Sequence, residues 1–118
     1  MLGAIAMFMA VALGAFGAHA LKARLAPDMA AVWQTAVQYH AWHALALLAV
    51  GILLSQDPGR AGLAFAAWLF AAGIVLFSGS LYGMALTEMR GLGAVTPVGG
   101  VAWLAGWAAL AWAAFKSP

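Results

Sequence analysis

The chain has no cysteine and very little charge. Without cysteine there is no disulfide, no thiolate nucleophile and no Cys-ligated metal. Charged residues make up 7% of the 118 residues, whereas a soluble domain carries about 25%, so the chain cannot cover a water-facing surface. Its three acids, Asp28, Asp57 and Glu88, are scattered. They supply no paired carboxylates and no membrane-embedded acid to couple ion movement. The five basic residues stand in four separate places and form no basic patch. The pI near 9.5 therefore does not point to nucleic acid. Ser/His/acid sets, phosphate loops and a complete dinucleotide fingerprint are also missing, since Gly91-Leu92-Gly93 lacks the third glycine and is preceded by no strand. Enzymatic chemistry is the class least supported.

What is present is apolar sequence. Hydrophobic residues account for 67% and the mean hydropathy is +1.00. The charges fall at Lys22, Arg24 and Asp28, at Asp57 and Arg60, at Glu88 and Arg90, and at Lys116. Between them lie four charge-free runs, residues 1–21, 29–56, 61–87 and 91–115, each at least the roughly 20 residues that cross a hydrocarbon core. The pattern predicts a single all-α domain over residues 1–118, a four-transmembrane-helix antiparallel bundle with helices over about 2–21, 29–54, 58–86 and 97–115. Ala18-His19-Ala20 has the form of a signal-peptidase site, but no basic segment precedes the first run, which reads as an uncleaved helix.

Local signals set the expected boundaries. Asp28 is an expected N-cap for the second helix, Asp57 with Pro58 for the third, and Thr96 with Pro97 for the fourth. Trp33 is expected at headgroup level. Gly14, Gly17, Gly79, Gly83, Gly99, Gly100 and Gly106 are expected where helices approach closely.

The candidate site centres on Tyr39-His40-Ala41-Trp42-His43. Tyr39 and His43 are four apart and His40 and His43 three apart, so all three share one helix face. The histidines lie about 18 to 23 Å along the second helix from Asp28. Antiparallel packing places His19, Tyr39, His40, His43, Ser78, Ser80, Tyr82 and Thr96 in one half of the bilayer or near its middle. Such groups fix packing by interhelical hydrogen bonds worth about 0.6 kcal/mol each, and a histidine can also carry a proton or bind a metal.

Several of these residues fall in motifs that resemble a known family. Gly14-Ala15-Phe16-Gly17-Ala18-His19, Tyr39 with His43-Ala44-Leu45-Ala46, Phe77-Ser78-Gly79-Ser80-Leu81-Tyr82, and Thr96-Pro97-Val98-Gly99-Gly100 with Gly106-Trp107 beyond it resemble the transmembrane protein 256-like family. These are small four-helix membrane proteins of bacteria and mitochondria-bearing organisms, largely without assigned activity. The resemblance spans nearly the whole chain and implies the same architecture. His40 departs from the family pattern, which carries Gln there, so the resemblance favours His19 and His43.

Three functional classes fit these features. The first is a transporter, channel or proton-handling bundle with His43 as the titrating group and His19 at the entrance. The second is a structural or assembly subunit of a larger membrane complex, or a homo-oligomer. The third is a haem or metal protein with ligands among His19, His40 and His43. The expected partner is the lipid bilayer, and the expected location is the bacterial cell (inner) membrane. Lys22, Arg24 and Arg90 on one side against Arg60 and Lys116 on the other barely bias orientation.

Overall fold

The computed structural model describes residues 1–116. Four helices, each long and apolar enough to span a membrane, make up the described chain. Helix α1 is Leu2–Leu21, α2 is Pro27–Gln56, α3 is Ala61–Thr87 and α4 is Thr96–Phe115. A 3₁₀ turn, Arg90–Ala94, leads into α4. The short turns force consecutive helices to run back along each other, and α1 packs on α2, α2 on α3 and α3 on α4. The result is elongated and flattened, 52 × 26 × 15 Å. Helix α4 meets α2 chiefly through the Trp103 and Trp107 side chains.

The helix starts differ from the sequence expectation. Helix α2 opens at Pro27 after Ala26, so Asp28 is not its cap but sits within the first turn. Proline at the first helical position has a preset φ and lacks an N–H that would in any case be unbonded. There Asp28 accepts from Arg90 at 2.8 Å, tying the 3₁₀ turn to α2. Helix α3 starts at Ala61 after Arg60, which leaves Asp57 and Pro58 in the turn. The Arg60 guanidinium donates to the Ala113 carbonyl in the last turn of α4, where a basic side chain complements the free carbonyls. Thr96 is the first residue of α4 and not its cap, which is Val95. The Thr96 hydroxyl pairs instead with α3.

Two π-helical turns interrupt the spans, Gly17–Leu21 in α1 and Ile74–Ser78 in α3. Each has a tryptophan beside it. Trp33 donates its indole N–H to the Leu13 carbonyl at 3.0 Å, and Trp103 donates to the Phe70 carbonyl at 3.2 Å. In both cases that carbonyl also accepts the backbone N–H at the junction with the π-turn, from Gly17 and Ile74 respectively. A carbonyl has two lone pairs, so it can serve both donors, and a buried indole N–H needs such a partner. Trp33 is accordingly buried against its neighbours (5% exposed).

Glycine makes room for these rings. A Cβ at Gly17 would strike the Trp33 indole, and one at Gly73 would strike Trp103. Gly3 and Gly99 are packed against the backbones of Leu48 and Phe77. A Cβ added at Gly14, Gly83, Gly100 or Gly106 would lie 3.2, 3.1, 3.8 or 3.0 Å from Val37, Leu92, Phe77 or Phe70 respectively. Gly79, expected in a helix contact, has no other helix against it: a Cβ there would meet only the Ile74 carbonyl of its own helix, at 4.0 Å. The main core cluster, including Leu47, Val50, Leu63, Phe70 and Trp103, joins α2, α3 and α4.

Gly73→Ala should cost about 1–3 kcal/mol, because an added methyl has no place beside the buried indole. Gly51→Ala, with open space around it, should be neutral or stabilising by up to about 1 kcal/mol. Unfolding in mixed micelles monitored by circular dichroism compares them, and equal stabilities would contradict the packing described for Trp103.

Candidate functional site

The polar residues of the middle of the bundle sort into separate pairs. Ser78, fully buried, donates to the Ala36 carbonyl of α2 at 2.8 Å. His40 Nδ1 and the Tyr82 hydroxyl are 3.2 Å apart, joining α2 to α3, and the Ala6 backbone of α1 lies against the same ring. Ser80 hydrogen-bonds the Thr96 hydroxyl at 2.7 Å, joining α3 to α4, and reaches the Phe77 carbonyl at 2.9 Å. These contacts link α2 to α3 and α3 to α4, and the Trp33–Leu13 bond links α1 to α2. His19 lies exposed on the π-turn of α1 and makes no hydrogen bond to the others.

His43 is different, because the partners of its two ring nitrogens have fixed hydrogen-bonding roles. Its Nδ1 lies 2.8 Å from the Tyr39 carbonyl one turn earlier, and its Nε2 lies 3.2 Å from Trp107 Nε1 on α4. A carbonyl only accepts and an indole N–H only donates. Nδ1 must therefore carry the proton and Nε2 the lone pair, so the geometry selects one neutral tautomer. The imidazole also lies flat on the Trp103 indole, with ring centroids 3.6 Å apart and planes 2° from parallel. Phe70 closes another side at 6.0 Å. His43 is buried, 6% exposed.

Tyr39 adds the wall beside it. Its ring packs on Phe77, Trp103 and Trp42 at 5.0, 5.9 and 5.0 Å. Tyr39, His43, Phe77, Trp103 and Trp107 border a groove of about 480 Å³ between α2 and the first half of α4. Pro97, Gly100, Val101 and Leu104 line the rest of it. Gly100 leaves the Phe77 ring exposed to this space. Trp103 and Trp107 were not among the candidate site residues, and nothing in a single chain pairs Trp107 with His43. The one available signal was Trp107 within the motif shared with the resembled family.

No group of three or more His, Cys, Asp or Glu side chains among the described residues could hold a metal ion. His40 and His43 share a helix face but turn their hydrogen bonds to different helices, α3 and α4. A ligand at His43 Nε2 must displace Trp107.

Fold and site together define a small four-span integral membrane protein with a buried histidine linking its second and fourth helices. The chain belongs to the DUF423 family, described as a protein of unknown function, whose model matches residues 13–100. It is 49% identical over 115 residues to the UPF0382 membrane protein YwdK of Bacillus subtilis, covering 98% of this chain and 94% of the relative. It is 44% identical to the UPF0382 membrane protein SH2409 of Staphylococcus haemolyticus, covering 98% and 93%, and 45% identical to SSP2132 of Staphylococcus saprophyticus, covering 98% and 94%. No solved structure matches the chain.

The serine links behave as packing bonds if removing one costs what an interhelical hydrogen bond is worth. Ser78→Ala should cost about 0.6 kcal/mol and no more than about 2 kcal/mol. The same unfolding measurement reads it, and a loss of several kcal/mol would show that Ser78 holds more than one helix contact.

Proposed function

We propose that the protein is a proton-handling membrane bundle in which His43 is the titrating group and the α2–α4 contact is what it controls. The observation that carries this reading is the hydrogen bond from Trp107 to His43 Nε2. Protonation puts a second N–H on that nitrogen. Two donors then face each other, and the polar link between α2 and α4 is lost. The resulting imidazolium is not stranded, because it lies on the Trp103 face, and a desolvated cation over an indole gains about 2 kcal/mol. One neighbour thus holds the neutral form and another accommodates the charged form, which is what a two-state titrating group needs.

The groups facing His43 are few. Tyr39 comes from α2, Phe70 from α3, and Trp103 and Trp107 from α4. No carboxylate or lysine is among them, so the proton on His43 is the one charge that can change at this junction between about pH 8 and about pH 4. Release of Trp107 would widen the groove beside Tyr39, giving a membrane-soluble molecule access that depends on pH. A transporter or channel would use the same step. A haem or metal role gains no support from the separated histidines. The family membership, the relatives' printed names and the transmembrane protein 256-like resemblance are all consistent with a membrane role and assign no cargo. The bacterial cell membrane is the expected site of action.

The native chain lacks cysteine, so spin labels can be attached at two introduced positions alone. Trp42→Cys on α2 and Leu104→Cys on α4 are both exposed. In lipid nanodiscs their distance should lengthen and its distribution broaden as pH is lowered from about 8 to about 4. His43→Gln keeps one donor and one acceptor without titrating, and should hold the neutral-state distance throughout. An unchanged distance in the native background, or the same change in His43→Gln, would contradict the proposal.

A further inference from the structure

We propose that the cleft between the second half of α1 and the first half of α2 is a binding site for one anionic phospholipid. It is separate from the His43 groove and does not depend on the role proposed there. The cleft has a volume of about 380 Å³, at the lower end of the range for small-molecule sites, about 300–1,000 Å³.

The chemistry along the cleft is graded in the order a phospholipid presents. Lys22, just past the end of α1, stands at its water-side end. Gln34 borders it about 10 Å further in, counting from Pro27 along α2. Apart from these two side chains the walls are apolar, with Ala18, Gly17 and Trp33 between Lys22 and the depth of Gln34, and Gly14 and Val37 deeper. A phosphate would meet the Lys22 ammonium, glycerol ester groups the Gln34 amide, and an acyl chain the small-residue wall. The wall is kept open by the π-turn at Gly17 and by the Trp33 indole, held against Gly17 through its bond to Leu13.

Charge favours an anionic headgroup over a zwitterionic one. Lys22 and Arg24 lie in one turn, and the structure gives neither an ion-pair partner among the described residues. The nearest acid along the chain, Asp28, is occupied by Arg90. Glu88 ends α3 and does not line the cleft. Two unneutralised cations beside an apolar slot at a membrane surface attract anionic lipid.

Native mass spectrometry of the full chain, exchanged into an equal mixture of phosphatidylglycerol and phosphatidylcholine, tests this. One phosphatidylglycerol should be retained in preference to phosphatidylcholine. Lys22→Gln should lower that preference about fivefold, the effect of one basic side chain at an anionic surface. Ala18→Leu, which fills the slot and leaves the charges, should reduce retention of both lipids. Lys116→Gln, whose ammonium lies over Trp112, should change neither. Circular dichroism confirms that each variant is folded, and a thermal-shift titration with phosphatidylglycerol repeats the comparison. Equal retention of the two lipids, a Lys22→Gln protein that keeps its preference, or the same stabilisation by inorganic phosphate alone would overturn the proposal.

Discussion

A polar group inside a bilayer has no water to turn to, and the architecture depends on how each one finds protein. The hydrogen bond between Trp107 and His43 is the most consequential case. Without it α4 would touch α2 mainly through the Trp103 ring, since the backbones of these helices stay apart. The bond joins a flattened row of helices across its middle, and it needs one protonation state of one side chain. The serine and tyrosine links elsewhere carry no such condition. Hydroxyl groups can donate or accept by rotating, so Ser80 with Thr96 stays satisfied at any pH near neutral.

The two tryptophan–carbonyl bonds show the same constraint acting on the backbone. Trp33 and Trp103 each place an indole N–H on a carbonyl at the start of a π-turn, next to a glycine that leaves room for the ring. A π-turn takes one residue more than an α-turn, so the helix beyond it is rotated by about 100° relative to an uninterrupted one. In α3 that rotation precedes Ser80 and Tyr82, which face α4 and α2 respectively. In α1 it precedes Lys22 and shapes the cleft against α2. Tryptophan thus sets both the internal links and the surface relief of the bundle.

The four spans were legible because charge is so costly in hydrocarbon that it marks each crossing of the interface. The antiparallel order came from the short turns. Boundaries were less legible. Pro27 opened α2 without help from Asp28, and Thr96 was drawn away from capping by Ser80. The site was legible as a set of residue types but not as a set of partners. A regular helical period cannot anticipate the π-turns, so the faces of Ser78, Ser80 and Tyr82 were open. Depth in the antiparallel order put His19 with the cluster, although it lies exposed on α1. Trp107 stands 64 residues from His43, and only the packed structure brings them together. Gly3 and Gly73 went unnoticed for a similar reason, since their closeness to Leu48 and Trp103 is a property of helix pairs.

Tyr39 and Trp107 hold His43 neutral, with its proton on Nδ1. Solid-state nitrogen NMR of labelled histidine in lipid bilayers, with His43 assigned by its loss in His43→Gln, reads this directly. At neutral pH His43 should show a protonated Nδ1 and an unprotonated Nε2, and Trp107→Phe should weaken that tautomer preference. A His43 with its proton on Nε2, or charged at neutral pH, would contradict the account.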